Sequence, residues 1–445
     1  MELINLIPSF GGLAYTILAF VLALSIIVFV HEYGHYIVGR WSGIHAEVFS
    51  LGFGPVIWSR VDRRGTRWQL AALPLGGYVK FMGDSNAASA GHVEDLGDLT
   101  AEQRRATMQG APLWARTATV AAGPVFNFIL SIAVFAGIFL LSGVATDAPT
   151  VGTVKPVPGI ATALEPGDRI IALGGQETPD FPAFMAAAAA LPTAAETTYR
   201  VERGGQTLEV TDSHPLPPLV ETVQPDSAAS EAGVQAGDIV TAVDGQPVTT
   251  FAQLREVVGA SDGGPLRLTL MRGGEEITLD LQPRRVDLPL PEGGFETRWL
   301  IGLTGALYFD PETRVPGVLE SIGLGATQSW DIATTSLSGL WHMITGAISS
   351  CNLRGPIGIA ETSGAAASAG ITNFIWFIAM LSTAVGMMNL FPVPVLDGGH
   401  LVFYAYEAVA GKPPNAKALR VLMSIGLAAI LTLMVFALSN DLFCP

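Results

Sequence analysis

Charge is scarce in this 445-residue chain. Only 14% of its residues are Asp, Glu, Lys or Arg while 49% are hydrophobic, and a soluble globular domain usually carries about 25% charged residues. That shortage excludes an ordinary soluble enzyme and points to an integral membrane protein, long enough for several domains. Cysteine is nearly absent. Cys351 and Cys444 are the only two and make no C-x-x-C pair, which argues against a disulfide framework or a thiolate metal site and leaves the redox compartment open. Bases are outnumbered, 24 against 39 acids for a net charge of −15. Residues 147 to 361 hold 27 of the acids and 12 of the bases, so the whole imbalance sits in one middle block. Such a block argues against nucleic acid as a partner and marks a separate water-exposed region. No basic stretch follows Met1-Glu2, so the first apolar segment is expected to be a retained span rather than a signal peptide.

What the chain does have is long uncharged runs. Residues 3 to 30 are free of charge and end in Val30-His31-Glu32-Tyr33-Gly34-His35, and about 20 apolar residues suffice to cross the hydrocarbon core. On a helix, His31 and His35 lie one turn apart and can present two imidazoles to one zinc ion, with Glu32 beside it as a base. Ionisable groups at a membrane boundary are expensive and mark function. The rival is a helix end with two solvated histidines and a chance glutamate.

The rest of the chain divides by texture. Residues 1–40 form the first span. The segment 41–112 lies in a stretch, 36 to 116, that holds nine of the 24 bases, which by the positive-inside rule makes it cytoplasmic and places the histidines near that face. Within it, Trp68 to Met82 reads as two short strands around Pro74 and the paired Gly76-Gly77, a membrane-associated hairpin. An acidic surface loop is expected over 84 to 106, leading to a short helix at Thr100-Ala-Glu-Gln-Arg. A second span covers 113–146, where Asn127 is either a packing hydrogen bond, the preferred reading, or part of the site. In the soluble block, Glu165-Pro-Gly-Asp168 recurs as Gln235-Ala-Gly-Asp238 seventy residues later. Each is followed by strand, turn, helix and returning strands, which resembles two tandem PDZ domains at 147–215 and 216–288. Residues 289–370 are expected to be an interfacial region, since another crossing there would put later segments on the wrong side. The third transmembrane segment, 371–400, ends in Asn389-Leu-Phe-Pro-Val-Pro-Val-Leu-Asp397-Gly-Gly-His400, and a fourth span runs over 418–440.

Catalytic zinc sites take three protein ligands and keep one position open. His31, His35 and Asp397 fill the three, with His45 and His400 as rivals for ligand or supporting roles. Glu32 is then the general base that takes a proton from water and passes it to the leaving amine. A peptide bond cut within a membrane must first leave its helix, so its freed backbone needs partners, such as an edge strand at Gly76, Gly77, Tyr78 and Val79. Two other classes fit less well. A metal transporter usually shows repeats among its spans, and a non-catalytic PDZ scaffold has no use for Glu32.

Taken in order, the motif on span one, the Gly-Gly-Tyr hairpin, the tandem PDZ-like modules and Asn389…Asp397-Gly398-Gly399 resemble the site-2 protease family over nearly the whole chain. The resemblance implies a zinc metalloendopeptidase of the bacterial inner membrane, active near the cytoplasmic face with its PDZ-like domains periplasmic. It implies cleavage of transmembrane segments of single-span proteins: anti-sigma factors already trimmed by a first protease, in the envelope stress response, and signal-peptide remnants. Asn389 would help to hold the substrate, and the PDZ pair would exclude bulky ones. The expected fold is therefore an α-helical polytopic membrane protein of four transmembrane helices, two inserted β-rich PDZ-like domains and a membrane-associated β-hairpin.

Overall fold

The computed structural model describes residues 6–84, 100–155, 162–224, 227–290 and 294–444; of the expected acidic loop, 85–99 lies outside them. Two compact units emerge, one of Met1–Ile138, Gly317–Trp341 and Ser350–Pro445, the other of Phe139–Pro316 and His342–Ser349.

Helix α1 (Leu6–Trp41) opens the first unit. Leu13, Ile17, Leu18 and Leu22 are exposed, while Ala19, Ala23 and Ile27 pack against Phe374, Phe377 and Ile378. One face is thus left for lipid, where an uncharged helix has every backbone group paired internally. Strands β1 (Ala46–Val61) and β2 (Arg67–Phe81) follow. The hairpin expected inside 68–82 is therefore corrected: 67–81 is one strand, and the chain reverses at Asp62–Thr66. Asp62 Oδ1 accepts from the backbone N–H groups of Arg64 and Thr66 at 2.8 and 3.1 Å, and Gly65 takes φ +87°. That carboxylate-closed turn makes the reversal between β1 and β2, while across Pro74 to Gly76 the chain passes from one edge of the first half of β1 to the other, so the two halves of β2 do not pair with each other. Leu51 pairs with Gly77 as well as Leu70, so the first half of β1 has neighbours on both edges.

After the short α2 (Ala101–Arg105), α3 (Leu113–Ser142) crosses α1 at small residues. A Cβ on Gly34 would lie 2.5 Å from the Ala122 carbonyl oxygen, and one on Gly39 3.1 Å from Thr119 Cγ2. Glycine there lets backbones approach as helices in lipid require.

The second unit holds β3 (Val144–Ala145), β4 (Val151–Val154) and then two modules of one design. In the first, β5 (Arg169–Leu173), β6 (Gln176–Glu177), β7 (Glu196–Arg203) and β8 (Gln206–Ser213) make a sheet of order β6-β5-β7-β8, with α4 (Phe181–Ala190) between β6 and β7. After β9 (Val220–Val223) and α5 (Ala228–Ala232), the second repeats it. Strands β10 (Ile239–Val243), β11 (Gln246–Pro247), β12 (Leu266–Arg272) and β13 (Glu275–Leu281) have the order β11-β10-β12-β13, and α6 (Phe251–Ala260) follows β11. The repeated Gly-Asp has one meaning in both. Asp168 and Asp238 are 0% and 1% exposed, close their turns by accepting from the Glu165 and Gln235 N–H groups, and each grips an arginine of the sheet, Arg203 or Arg272. The hairpin β14 (Arg284–Pro289) and β15 (Phe295–Leu300) comes next. The unit does not end at Leu288: β16 (Leu303–Gly305) returns to pair with β9, and β17 (Phe309–Pro311) with β4. Those backbones need partners, and β9 and β4 supply them in two separate two-stranded sheets.

Five helices close the chain: α7 (Val318–Ile344), α8 (Pro356–Ser368), α9 (Ile371–Asn389), α10 (Asp397–Ala410) and α11 (Ala416–Phe443). Among the described residues four helices are long and apolar enough to cross a membrane, Gly12–Trp41, Leu113–Ser142, Ile371–Asn389 and Lys417–Phe443, and these meet the four expected. Buried hydroxyls join α3 to α9. Ser382 Oγ donates to the Asn127 carbonyl at 2.9 Å, and Ser131 Oγ to the Ala379 carbonyl at 2.5 Å. Sequence spacing implied no bridge, yet Cys351 and Cys444 form a disulfide. The physical reason is beside it: the Asp441 carboxylate caps α8 by accepting from Gly355, Ile357 and Gly358 N–H at 2.7, 3.0 and 3.2 Å, and Asn440 Nδ2 donates to the Ser350 carbonyl. These bonds bring the end of α11 to the 350–358 loop.

Candidate metal centre

His31 and His35 leave the C-terminal part of α1 one turn apart, and Asp397 meets them from the first turn of α10. The two Nε2 atoms lie 3.2 Å apart; Asp397 Oδ2 is 3.2 Å from that of His31 and 3.5 Å from that of His35. For zinc bonded at about 2.0–2.2 Å to nitrogen and oxygen, the corners of a tetrahedron are about 3.3 Å apart. Asp397 Oδ2 is buried with no hydrogen-bond partner, as an oxygen aimed at a cation should be. Three largely buried donors, two imidazoles and a carboxylate, with one corner open, have the make-up of a catalytic zinc site. Of the described residues only these three form such a group; His45 and His400 are outside it. His45 lines a separate cavity with Tyr36, Arg40 and Arg64, and the His400 ring sits edge-on to Phe403.

Asp397 is delivered by a tight reversal. A Cβ on Gly398 would fall 2.2 Å from the Leu390 carbonyl oxygen, and one on Gly399 2.2 Å from that of Val393. The Asp-Gly-Gly sequence is thus needed for the 390–394 loop to fold against the start of α10. The carboxylate at that start also meets the positive end of the helix dipole. Asn389, at the end of α9, donates its amide to the Val385 carbonyl of its own helix at 3.0 Å.

Glu32 faces β2. The Val79 backbone lies beside its carboxylate, and a Cβ on Gly77 would lie 3.3 Å from Glu32 Cγ. Gly77 and Val79 therefore meet the site. Gly76 and Tyr78 alternate to the other face, against Phe53, and Tyr78 Oη accepts from Gln69. The structure thus brings two of the four strand residues to Glu32.

Helix α3 supplies two residues that the sequence did not single out, Thr119 and Gly123, and one that it did, Asn127. His35 Nδ1–H donates to the Thr119 carbonyl at 2.8 Å, which frees Nε2 for a metal. A Cβ on Gly123 would fall 2.3 Å from His35 Nε2 and 2.9 Å from His31 Cε1. Asn127 is 0% exposed, and its amide lies 3.1 Å from His31 Nδ1. The packing reading of Asn127 is accordingly corrected: its backbone carbonyl joins helices, but its side chain belongs to the site. The available signal was spacing. Thr119, Gly123 and Asn127 recur every four residues on a span and form one helical stripe facing the two histidines.

Comparison with known proteins places these features in a larger pattern. The model of peptidase family M50 matches residues 19–433. A protein of Rhizobium meliloti (strain 1021), described by name as a zinc metalloprotease, is 39% identical over 434 residues, covering 97% of both chains. The regulator of sigma-E protease RseP of Salmonella typhimurium (strain 14028s / SGSC 2262) is 33% identical over 460 residues, covering 97% of this chain and 99% of that one.

Proposed function

Because the chain belongs to peptidase family M50, the site-2 protease family, and is a zinc metalloprotease of the membrane, we propose that it cuts transmembrane segments of single-span proteins at the His31–His35–Asp397 centre. The observation that carries this reading is the position of that tetrahedral donor set at the end of an apolar helix, with Glu32 and the 77–81 strand beside it. When bound, zinc supplies Lewis acidity that activates water and polarises a carbonyl. Glu32 accepts the proton of the attacking water and returns it to the departing amine. The 77–81 strand receives the backbone of an unwound substrate helix, whose unpaired groups would otherwise cost several kcal/mol each in lipid. Asn389 offers an amide to the same stretched segment. The two β modules are PDZ-like and exclude substrates that carry bulky outer domains.

An anti-sigma factor trimmed by a first protease is the substrate proposed from the likeness to the regulator of sigma-E protease, with signal-peptide remnants as a second group. Topology follows from two independent features. The bases of 36 to 116 favour the cytoplasm for the metal-site end of α1. The Cys351–Cys444 bridge favours an oxidising compartment for the far end of α11. Together they argue for an inner membrane with the β modules in the periplasm and the metal centre near the cytoplasmic face.

The test uses purified protein. Wild type is expected to hold about one zinc, and Glu32→Gln to keep that metal while losing cleavage of a model transmembrane substrate. Cleavage retained by Glu32→Gln would refute the base, and protein devoid of metal would refute the site.

A further inference from the structure

Helix α3 meets the H-E-x-x-H turn of α1 with a stripe in matching register. Thr119 takes His35 through its carbonyl, Gly123 lies between the rings, and Asn127 takes His31. The helices run in opposite directions, which reverses the order of the contacts, and residues eight apart on α3 reach histidines four apart on α1 because the Thr119 carbonyl points toward the C-terminus of α3 while the Asn127 side chain leans back toward its N-terminus. The first contact is fixed in sense, since a carbonyl only accepts. The second is not, because a side-chain amide offers an acceptor at one atom and donors at the other.

As it stands, Asn127 turns Nδ2 toward His31 Nδ1, and its Oδ1 is buried with no hydrogen-bond partner. A donor facing Nδ1 suits the tautomer in which Nε2 carries the proton. That proton would point toward Asp397 Oδ2, 3.2 Å away. A metal on Nε2 demands the opposite tautomer, with the proton on Nδ1 and an acceptor facing it. A half-turn about Cβ–Cγ exchanges the two atoms of the amide and moves nothing else. Nothing bonded to Oδ1 opposes the exchange.

We propose that Asn127 is the positioning residue for His31: when zinc is bound, its amide oxygen accepts from His31 Nδ1–H and holds Nε2 toward the metal, as the Thr119 carbonyl does for His35. This rests on the ligand assignment above. No other described side chain is bonded to His31 Nδ1, so without this acceptor the imidazole has nothing to fix its orientation.

Zinc affinity is the readout, measured by competition with a chromogenic chelator in a Glu32→Gln background so that proteolysis does not enter. Asn127→Leu, nearly the same size with no acceptor, is expected to weaken zinc about ten- to a hundredfold and to change the visible absorption of the cobalt-substituted protein. Asn127→Asp, which keeps an oxygen facing Nδ1, is expected to restore both. Ser382→Ala removes a bond to the Asn127 backbone and not the amide, and should leave both unchanged. If Asn127→Leu does not fold, Asn127→Ala, which only opens space, replaces it with the same expectation. Wild-type affinity and spectrum in the Leu or Ala variant would overturn the proposal, as would failure of Asn127→Asp to restore them. A His31→Ala variant separates the two levels. If it too binds zinc normally, the ligand assignment has failed; if it loses zinc while the Asn127 variants do not, only the positioning role has.

Discussion

The guanidinium of Arg116, at the start of α3, grips both carboxylate oxygens of Glu407 on α10, at 3.0 and 2.6 Å. Both side chains are mostly buried, 14% and 16% exposed, and Arg116 also lies 5.2 Å from the centre of the Tyr404 ring. The pair ties the helix that carries Gly123 and Asn127 to the helix that begins with Asp397, so it bears on metal geometry from a distance.

Breaking one partner of such a pair leaves a buried charge alone, which costs about 3–5 kcal/mol. Arg116→Met and Glu407→Gln are each expected to lower the melting temperature in detergent and to reduce zinc retention. The double variant Arg116→Met with Glu407→Met is expected to regain much of the stability. A double variant no more stable than the singles would show that the loss lies elsewhere.

Gly123 is a test of space alone. Gly123→Ala puts a methyl 2.3 Å from His35 Nε2, backed by a helix that cannot yield freely. Zinc content should fall sharply and cleavage with it, whereas Gly137→Ala on the same helix, where nothing lies within 4 Å, should change neither. Metal analysis of the two purified variants decides it.

The bridge between Cys351 and Cys444 closes a span of 93 residues. Replacing both with alanine is expected to cost about 2–4 kcal/mol, seen as a lower melting temperature. Zinc stoichiometry should not change, because neither cysteine is among the donors. In intact cells a membrane-impermeant thiol reagent, applied after mild reduction, should label both. Labelling only after the membrane is opened would reverse the proposed topology.

Asp168 gives a dependence on pH. Burial pushes its carboxyl up, but the hydrogen bond from Arg203, the Glu165 N–H and the guanidinium charge outweigh that and hold it below the usual carboxylate range. A group lowered on folding stabilises fully above its unfolded value, about 3.9, and that contribution is lost as pH falls through the lower folded value. Asp168→Asn should therefore melt below wild type at neutral pH, and the gap should close only in acid. A gap unchanged down to acid would mean that the charge of Asp168 does not matter.

Much of this molecule is local and therefore readable in order. An uncharged run long enough to cross lipid, two histidines and a glutamate at helical spacing, and a Gly-Asp turn repeated after seventy residues all declare themselves within one element, because periodicity and turn chemistry are short-range. Asp397 could be assigned for a related reason: membrane crossings restrict which ends meet. Tertiary structure decided the rest. Asp62 competes with Pro74 and Gly76 for the reversal, and only the fold shows which closes a turn. Cys351 and Cys444 are joined because Asp441 and Asn440 bind the 350–358 loop, contacts across some ninety positions that no pattern announces. Thr119, Gly123 and Asn127 look like ordinary small and polar residues of a span. They became part of the metal centre only when α3 crossed α1 with a glycine at the point of closest approach, since a helix shows which residues share a face but not what that face will meet.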